Sequence, residues 1–270
     1  KTHSNQFTDP MESPWERLRD GSDVERQDRN LVLAAVQDEG IALQFASPEL
    51  QDDREVVLAA IEQDPDALQY ASEKLRTCRE VVGVAVKRAG TALQYAQPSL
   101  WEDRNLLLAA VKEDGRLLRL APLTLQDREL VLEAVRQDAD ALDFASDMMR
   151  ADKEVVLLSV KNSGEILRLA SKELQDDRDV VVAAIKFDGL SLKHASLSLR
   201  EDREIVLQAV QQHGCALEFA GEDLRSDREV VWQAVNKTPR SLAFALGGLS
   251  DDEDLQELAR DARCRIQETG

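Results

Sequence analysis

A chain of 270 residues in which 43% are hydrophobic but only 4% aromatic must build its core from Val, Leu, Ala and Ile, and is long enough, as one large domain or two, to do so without disulfide or metal staples. Its 52 acidic and 34 basic residues leave a formal charge of −18, which repels phosphate backbones and anionic lipid headgroups at long range, so neither nucleic acid nor direct membrane insertion is expected. No stretch approaches the roughly 18–20 apolar residues of a spanning helix.

The first twelve residues, "KTHSNQFTDPME", carry no periodicity and lack the apolar core of a signal peptide; they are expected to form an irregular arm. Residues 13–27 open on "SPWERLR", a Ser-Pro helix start, and read as an N-terminal cap. From Asp28 to about residue 249 the chain repeats itself every 25 residues, with copies opening at Asp28, Asp53, Cys78, Asp103, Asp127, Asp152, Asp177, Asp202 and Asp227; the fourth is one residue short. A period in this range signals a stack of supersecondary units.

Numbered from its opening residue, the second copy reads DREVVLAAIEQDPDALQYASEKLRT. The apolar run at positions 4–9 has the length of a strand or of a helix segment. An Asp at the N-cap place, Glu in the first turn, paired alanines and frequent Lys at position 10 decide for a helix over positions 2–11, apolar nearly all round and so expected to lie sandwiched between neighbouring copies. Position 13 is Gly in six copies but Pro65, Pro239 or Ala139 in the others. Proline cannot adopt positive φ, so the shared geometry is the start of a second, short helix carrying "ALQYA". A Ser N-cap then opens one further turn, as in "SPEL" and "SKEL". The fold class expected is all-α, a right- or left-handed helical solenoid of about nine repeats, elongated by about 8–10 Å per copy. Residues 250–270 are expected to form a C-terminal cap helix with a Ser250 to Glu253 capping box and Leu255, Leu258, Ala262 and Ile266 on one face.

The pattern D-R-[EDN]-[VLI]-[VL]-L-A-A-V followed by G-x-A-L-x-[FY]-A-S-x-x-L resembles the tandem repeats called domain of unknown function 4116, which occur in multicopy arrays in algal and protist proteins and in some intracellular bacteria. The resemblance covers residues 28–249. It implies an all-helical array and supplies no catalytic residues. Cys78, Gly83, Glu133 and the shortened fourth copy depart from the pattern.

A residue found in every copy most simply builds the repeat. The basic residues at position 2, namely Arg29, Arg54, Arg79, Arg104, Arg128, Lys153, Arg178, Arg203 and Arg228, are therefore expected to pair with carboxylates of the adjacent copy as a structural ladder. His194 replaces an aromatic at position 18 and reads as a core substitution, as does Trp232 at position 6. His213 and Cys215 stand together without a second pair of ligands, His3 carries no signal, and no metal is expected. Cys78, Cys215 and Cys264 have no paired spacing, which fits a reducing intracellular compartment, cytoplasmic or organellar, a chloroplast included. An initial Lys1 is compatible with a removed targeting peptide. With no G-x-S-x-G, no phosphate-binding glycine loop and no carboxylate cluster outside the repeat, no enzyme and no cofactor are expected.

Positions where one copy breaks the surface rule are the candidate partner-binding residues: Trp101 at a position otherwise polar or basic, Phe187, Leu190 and Leu197 within one copy, and Phe7 and Trp15 near the N-terminus. The function expected is a non-enzymatic scaffold or linker subunit that binds other proteins within a larger assembly. The alternatives are a ligand- or redox-responsive sensor acting through Cys78 or Cys215, and a cryptic enzyme on a concave face.

Overall fold

The structure, a computed structural model, describes the backbone of residues 13–269 and the side chains of residues 13–262. Among these residues every regular element is helical.

Each copy opens with a long helix over positions 2–11, for example Arg29–Asp38, Arg54–Gln63 and Arg178–Phe187. The opening Asp sits in extended backbone and its carboxylate accepts two N–H groups of the first turn, as Asp53 does from Glu55 N at 2.9 Å and Val56 N at 3.3 Å. Those donors have no intrahelical partner, which is why a short acceptor is required there. The expected second helix resolves as a six-residue 3-10 helix beginning at position 13, such as Gly40–Phe45 and Pro65–Tyr70. A three-residue period lines up positions 13, 16 and 19 on one side, and Gly40, Leu43 and Ala46 are all buried. A four-residue helical turn such as Glu73–Arg76 completes the copy, with the Ser72 hydroxyl accepting from Leu75 N.

The long helix buries positions 5, 8 and 9 fully in copy after copy, as Val57, Ala60 and Ile61 or Val206, Ala209 and Val210. Glycine at position 13 has a reason: the first residue of the 3-10 helix presses on the carbonyl of position 8 in the next copy's long helix. A Cβ placed on Gly40 would stand 2.6 Å from Ala60 O. The glycine therefore serves close approach, not a left-handed turn, and no non-glycine residue among those described has positive φ. Where Ala139 takes this position, the next copy carries Ser159 in place of Ala and its long helix, Lys153–Val160, is two residues shorter.

The chain divides into two compact units, Lys1–Leu125 and Gln126–Gly270. Within each, a thread of backbone hydrogen bonds ties the third element of one copy to the next. In the first unit Ser47, Ser72 and Gln97 donate to Arg26 O, Gln51 O and Arg76 O at 2.9–3.0 Å. The next residue in this series is Pro122, which has no N–H to give, and the third element there shrinks to the three residues Leu123–Leu125. In the second unit Ser146 N bonds the Gln126 side-chain Oε1 at 2.8 Å instead of a backbone carbonyl. The regular pattern then resumes with Ser171, Ser196, Gly221 and Leu246. The division falls at the copy that lacks a residue.

The N-terminal cap is the second half of a degenerate copy. Leu18, fully buried in the Pro14–Asp20 helix, lies 25 residues before Leu43, and the Asp23–Arg26 turn supplies the first carbonyl of the thread. At the other end the expected Ser250 to Glu253 box is not what opens the helix. Ser250 lies in the 3-10 turn Leu249–Asp251, and Asp252 caps the Glu253–Thr269 helix by accepting from Leu255 N at 3.0 Å. Asp252 stands 25 residues after Asp227, so the C-terminal helix begins as one more copy would. Leu255, Ala259 and Ala262 are buried and Leu258 is half-buried; the side chain of Ile266 is outside the described residues.

Cys78 occupies the capping place without making the caps: its thiol lies 3.9 Å from Glu80 Oε2 and takes no bond from the helix N–H groups. Cys78→Asp is expected to raise stability by about 1 kcal/mol, the usual worth of such a cap, read as an upward shift of the urea midpoint. An unchanged or lowered midpoint would contradict the capping account.

Candidate functional site

Within each unit the long helices stack in a layer, so an inner one has neighbours on two sides and 3-10 helices beneath it, and its fourth side stays open. Positions 6 and 7 occupy that side. In the first unit Leu33, Leu58, Ala59, Val84, Leu108 and Ala109 are half-buried and Ala34 is exposed, and in the second Leu132, Leu157, Leu158, Val182, Ala183 and Leu207 are half-buried. The long helices are sandwiched between neighbouring copies as expected, yet their apolar run leaves this further side open. Trp232, read as core from its position, is 38% exposed on this face, with the Arg228 guanidinium 5.9 Å from its ring centroid. In a stripe built from Leu and Ala it is the largest side chain.

Charges border the stripe at the helix N-termini. In the first unit Arg29 pairs with Asp53 and Glu55, Arg54 with Glu80 and Arg79 with Asp103; Arg104 opens the last long helix of that unit. In the second, Arg128 pairs with Asp152 and Glu154, Lys153 with Asp177 and Asp179, and Arg178 with Asp202 and Glu204. Arg203 continues to Asp227 and Glu229, and Arg228 to Asp252 and Asp254. The rungs join position 2 of one copy to positions 1 and 3 of the next. At Asp53 and Asp103 the arginine rung holds the carboxyl below its ordinary range. At Asp152 and Asp177 burial pushes upward and is outweighed by the basic rung together with the helix N–H donors. Half-exposed as they are, such pairs contribute modestly one by one.

The residues singled out from sequence do not gather into one patch. Phe187, 56% exposed, lines a shallow apolar groove of about 430 Å³ with Val182, Ala183, Lys161 and Lys186. Leu197, 71% exposed, lines a different, polar groove, and Leu190 is half-buried. Trp15 is half-buried beneath the Arg19 guanidinium, 4.9 Å from its ring centroid, and Phe7 lies outside the described residues. Trp101 is half-buried, and its indole N–H donates to Leu93 O at 3.2 Å. Gln51, Arg150 and Gln175 at the same position reach the equivalent carbonyls Leu43 O, Leu142 O and Leu167 O. In these copies position 24 supplies an N–H donor that satisfies the end of a 3-10 helix, and Trp101 meets that demand in place of Gln or Arg.

Position 18, read as core, is half-exposed. His194 sits there with Nε2 3.1 Å from Glu165 Oε1 but not aligned as a hydrogen bond, and burial lowers its pKa. Cys215 is buried, with the Arg240 Nε 3.0 Å from its sulfur. The side chain of Cys264 is outside the described residues. Among those described, no group of His, Cys, Asp and Glu is arranged to hold a metal ion, and no helix is long and apolar enough to cross a membrane.

These features define an all-α tandem-repeat protein whose copies are bound by capped helices, a salt-bridge ladder and a backbone thread. The family model Domain of unknown function (DUF4116) matches residues 28–76, 53–101, 78–126, 103–150, 127–175, 152–200, 177–225 and 202–246. The chain belongs to that family. Each match is two copies wide and starts on the opening residue of a copy. No curated protein and no solved structure matches the chain.

Proposed function

We propose that this chain is a non-enzymatic scaffold, a linker subunit that binds other proteins along the open side of its long helices. The observation that carries the reading is the half-exposed apolar stripe: pairs of Leu, Val and Ala stand at the same two helix positions in five of the nine copies, with Glu133, Gln208 and Gln233 at the second position in others, and the larger Phe187 and Trp232 punctuate it. A regular apolar surface edged by ion pairs is suited to gripping helices or extended segments, with large side chains as anchors and charge rejecting wrong partners. The excess of carboxylates argues against nucleic acid and anionic membranes as what it binds.

Cross-linking mass spectrometry on gently prepared native extract, size-fractionated first, tests this. The protein is expected in a fraction larger than its own mass, with Lys161 and Lys186 beside Phe187 linked to one defined neighbour, and Phe187→Glu is expected to abolish those links. Elution as a free monomer with internal links alone would overturn the scaffold reading.

One observation favours the second reading, a redox-responsive thiol: the Nε of Arg240 lies 3.0 Å from the buried sulfur of Cys215. Rapid alkylation of Cys215 at neutral pH in the native protein supports it, and slow labelling rejects it.

A further inference from the structure

The groove that holds Leu197 has a sign opposite to that of the chain. It measures about 660 Å³, lies between the sixth and seventh copies inside the second unit, and is lined by Arg168, Lys172, Lys193 and Arg200 against the one carboxylate of Asp176. That carboxylate is already engaged, accepting from the Ser196 and Ser198 hydroxyls. The equivalent groove one copy further on, about 520 Å³, is lined instead by Glu201, Glu222 and Asp223. Since the backbone of the two copies follows one pattern, the reversal comes from side chains alone, and the structural role of the repeat does not call for it. Position 17 is Gln in the first three copies and basic in both copies that form this groove; position 21 is Lys only here, at Lys172.

The cations are not used up internally. Among the described residues the exposed Arg168 side chain has no ion-pair or hydrogen-bond partner, and the Lys172 ammonium bonds the neutral Gln175 Oε1 at 3.0 Å. Arg200 spends its Nε on Phe219 O at 2.5 Å and keeps its terminal nitrogens. Lys193 is shared with Glu165 at 2.8 Å. Replacing the aromatic of position 18 by His194 adds an imidazole to the wall. Like charges converging on one groove cost free energy in the empty protein, a cost that a multiply charged anion offsets on binding.

From this geometry we infer that the groove between the sixth and seventh copies binds a small diffusible ligand bearing phosphate groups. Phosphate rather than a single carboxylate matches the lining: a planar guanidinium fork and several mobile ammonium groups suit a polyanion with many acceptor oxygens, whereas one carboxylate would leave most of the positive charge uncompensated. The inference is independent of the scaffold reading, because the groove is lined by the short elements and not by the open side of the long helices.

Isothermal titration of the full chain at low ionic strength, with sodium pyrophosphate as the probe and citrate in parallel, tests the assignment. Pyrophosphate is expected to saturate one site and to bind at least about tenfold more weakly to the Arg168→Gln/Lys172→Gln double variant. The charge-matched Lys87→Gln/Arg88→Gln variant, altered in the other unit, is expected to bind as the parent does. In proton spectra the His194 imidazole signals should move on titration while those of His213 stay in place. The inference is overturned if pyrophosphate does not saturate, if both double variants weaken equally, or if citrate binds as tightly as pyrophosphate.

Discussion

Replacing Leu68 by Ala is expected to lower the stability of the first unit by about 2–5 kcal/mol, the range for deleting a large buried side chain that its surroundings cannot refill. Leu68 sits at position 16 of the second copy and is fully buried, as are Leu43 before it and Leu93 after it. Its copy has neighbours on both sides, so the cavity cannot collapse towards solvent as it could at an end. Stability in such arrays is carried by interfaces between successive copies, and the loss should therefore weaken two interfaces together. A urea titration followed by circular dichroism and by Trp15 and Trp101 emission measures it. A shift worth less than about 1 kcal/mol would mean that the 3-10 helices are not where the core is held.

Two glycines are expected to respond in opposite directions to the same substitution. At Gly214 a Cβ would stand 2.3 Å from Ala234 O and under 3 Å from the backbone nitrogen of Thr238. Neither atom is the end of a flexible side chain, so Gly214→Ala must push the following long helix away and is expected to cost about 1–3 kcal/mol, as overpacking does. The chain itself shows that the strain can be met: Pro65 fills this position beside the intact helix Arg79–Arg88, and Ala139 beside a shortened one. Gly83 lies instead on the open side of a long helix at position 6, where an added Cβ meets only Leu106 Cδ2 at 3.8 Å. Gly83→Ala should stabilise by about 1 kcal/mol through helix propensity. If both variants shift the midpoint the same way, close approach is not what selects glycine at position 13.

The helix boundaries were readable from residues because capping Asp, paired alanines and the 25-residue spacing all point to one register. The open stripe was not, for a physical reason: a six-residue run that is apolar at every position has no polar face to mark the side turned to solvent. Only the single-layer arrangement of the long helices shows which side that is, and Trp232 was misplaced with it. At position 24 the signal was present in another form. Gln, Arg and Trp share an N–H donor and little else, and reading them by hydrophobicity set Trp101 apart when hydrogen bonding groups it with its neighbours. The true cap at Asp252 could have been found by counting one more period from Asp227, where the more familiar Ser-x-x-Glu signature drew attention to Ser250. The basic groove draws on the sixth and seventh copies together, so neither copy's sequence alone displays it.

The ladder and the thread make whole copies interchangeable. If residues 177–201 were excised, Lys153 would face Asp202 and Glu204 in place of Asp177 and Asp179, and Gln175 O would receive Gly221 N in place of Ser196 N. Every junction would again be chemically the same. A gene encoding such an array can therefore lengthen or shorten by unequal recombination in whole-copy steps without inventing a new interface, while a single-residue deletion, as in the fourth copy, leaves a lasting seam.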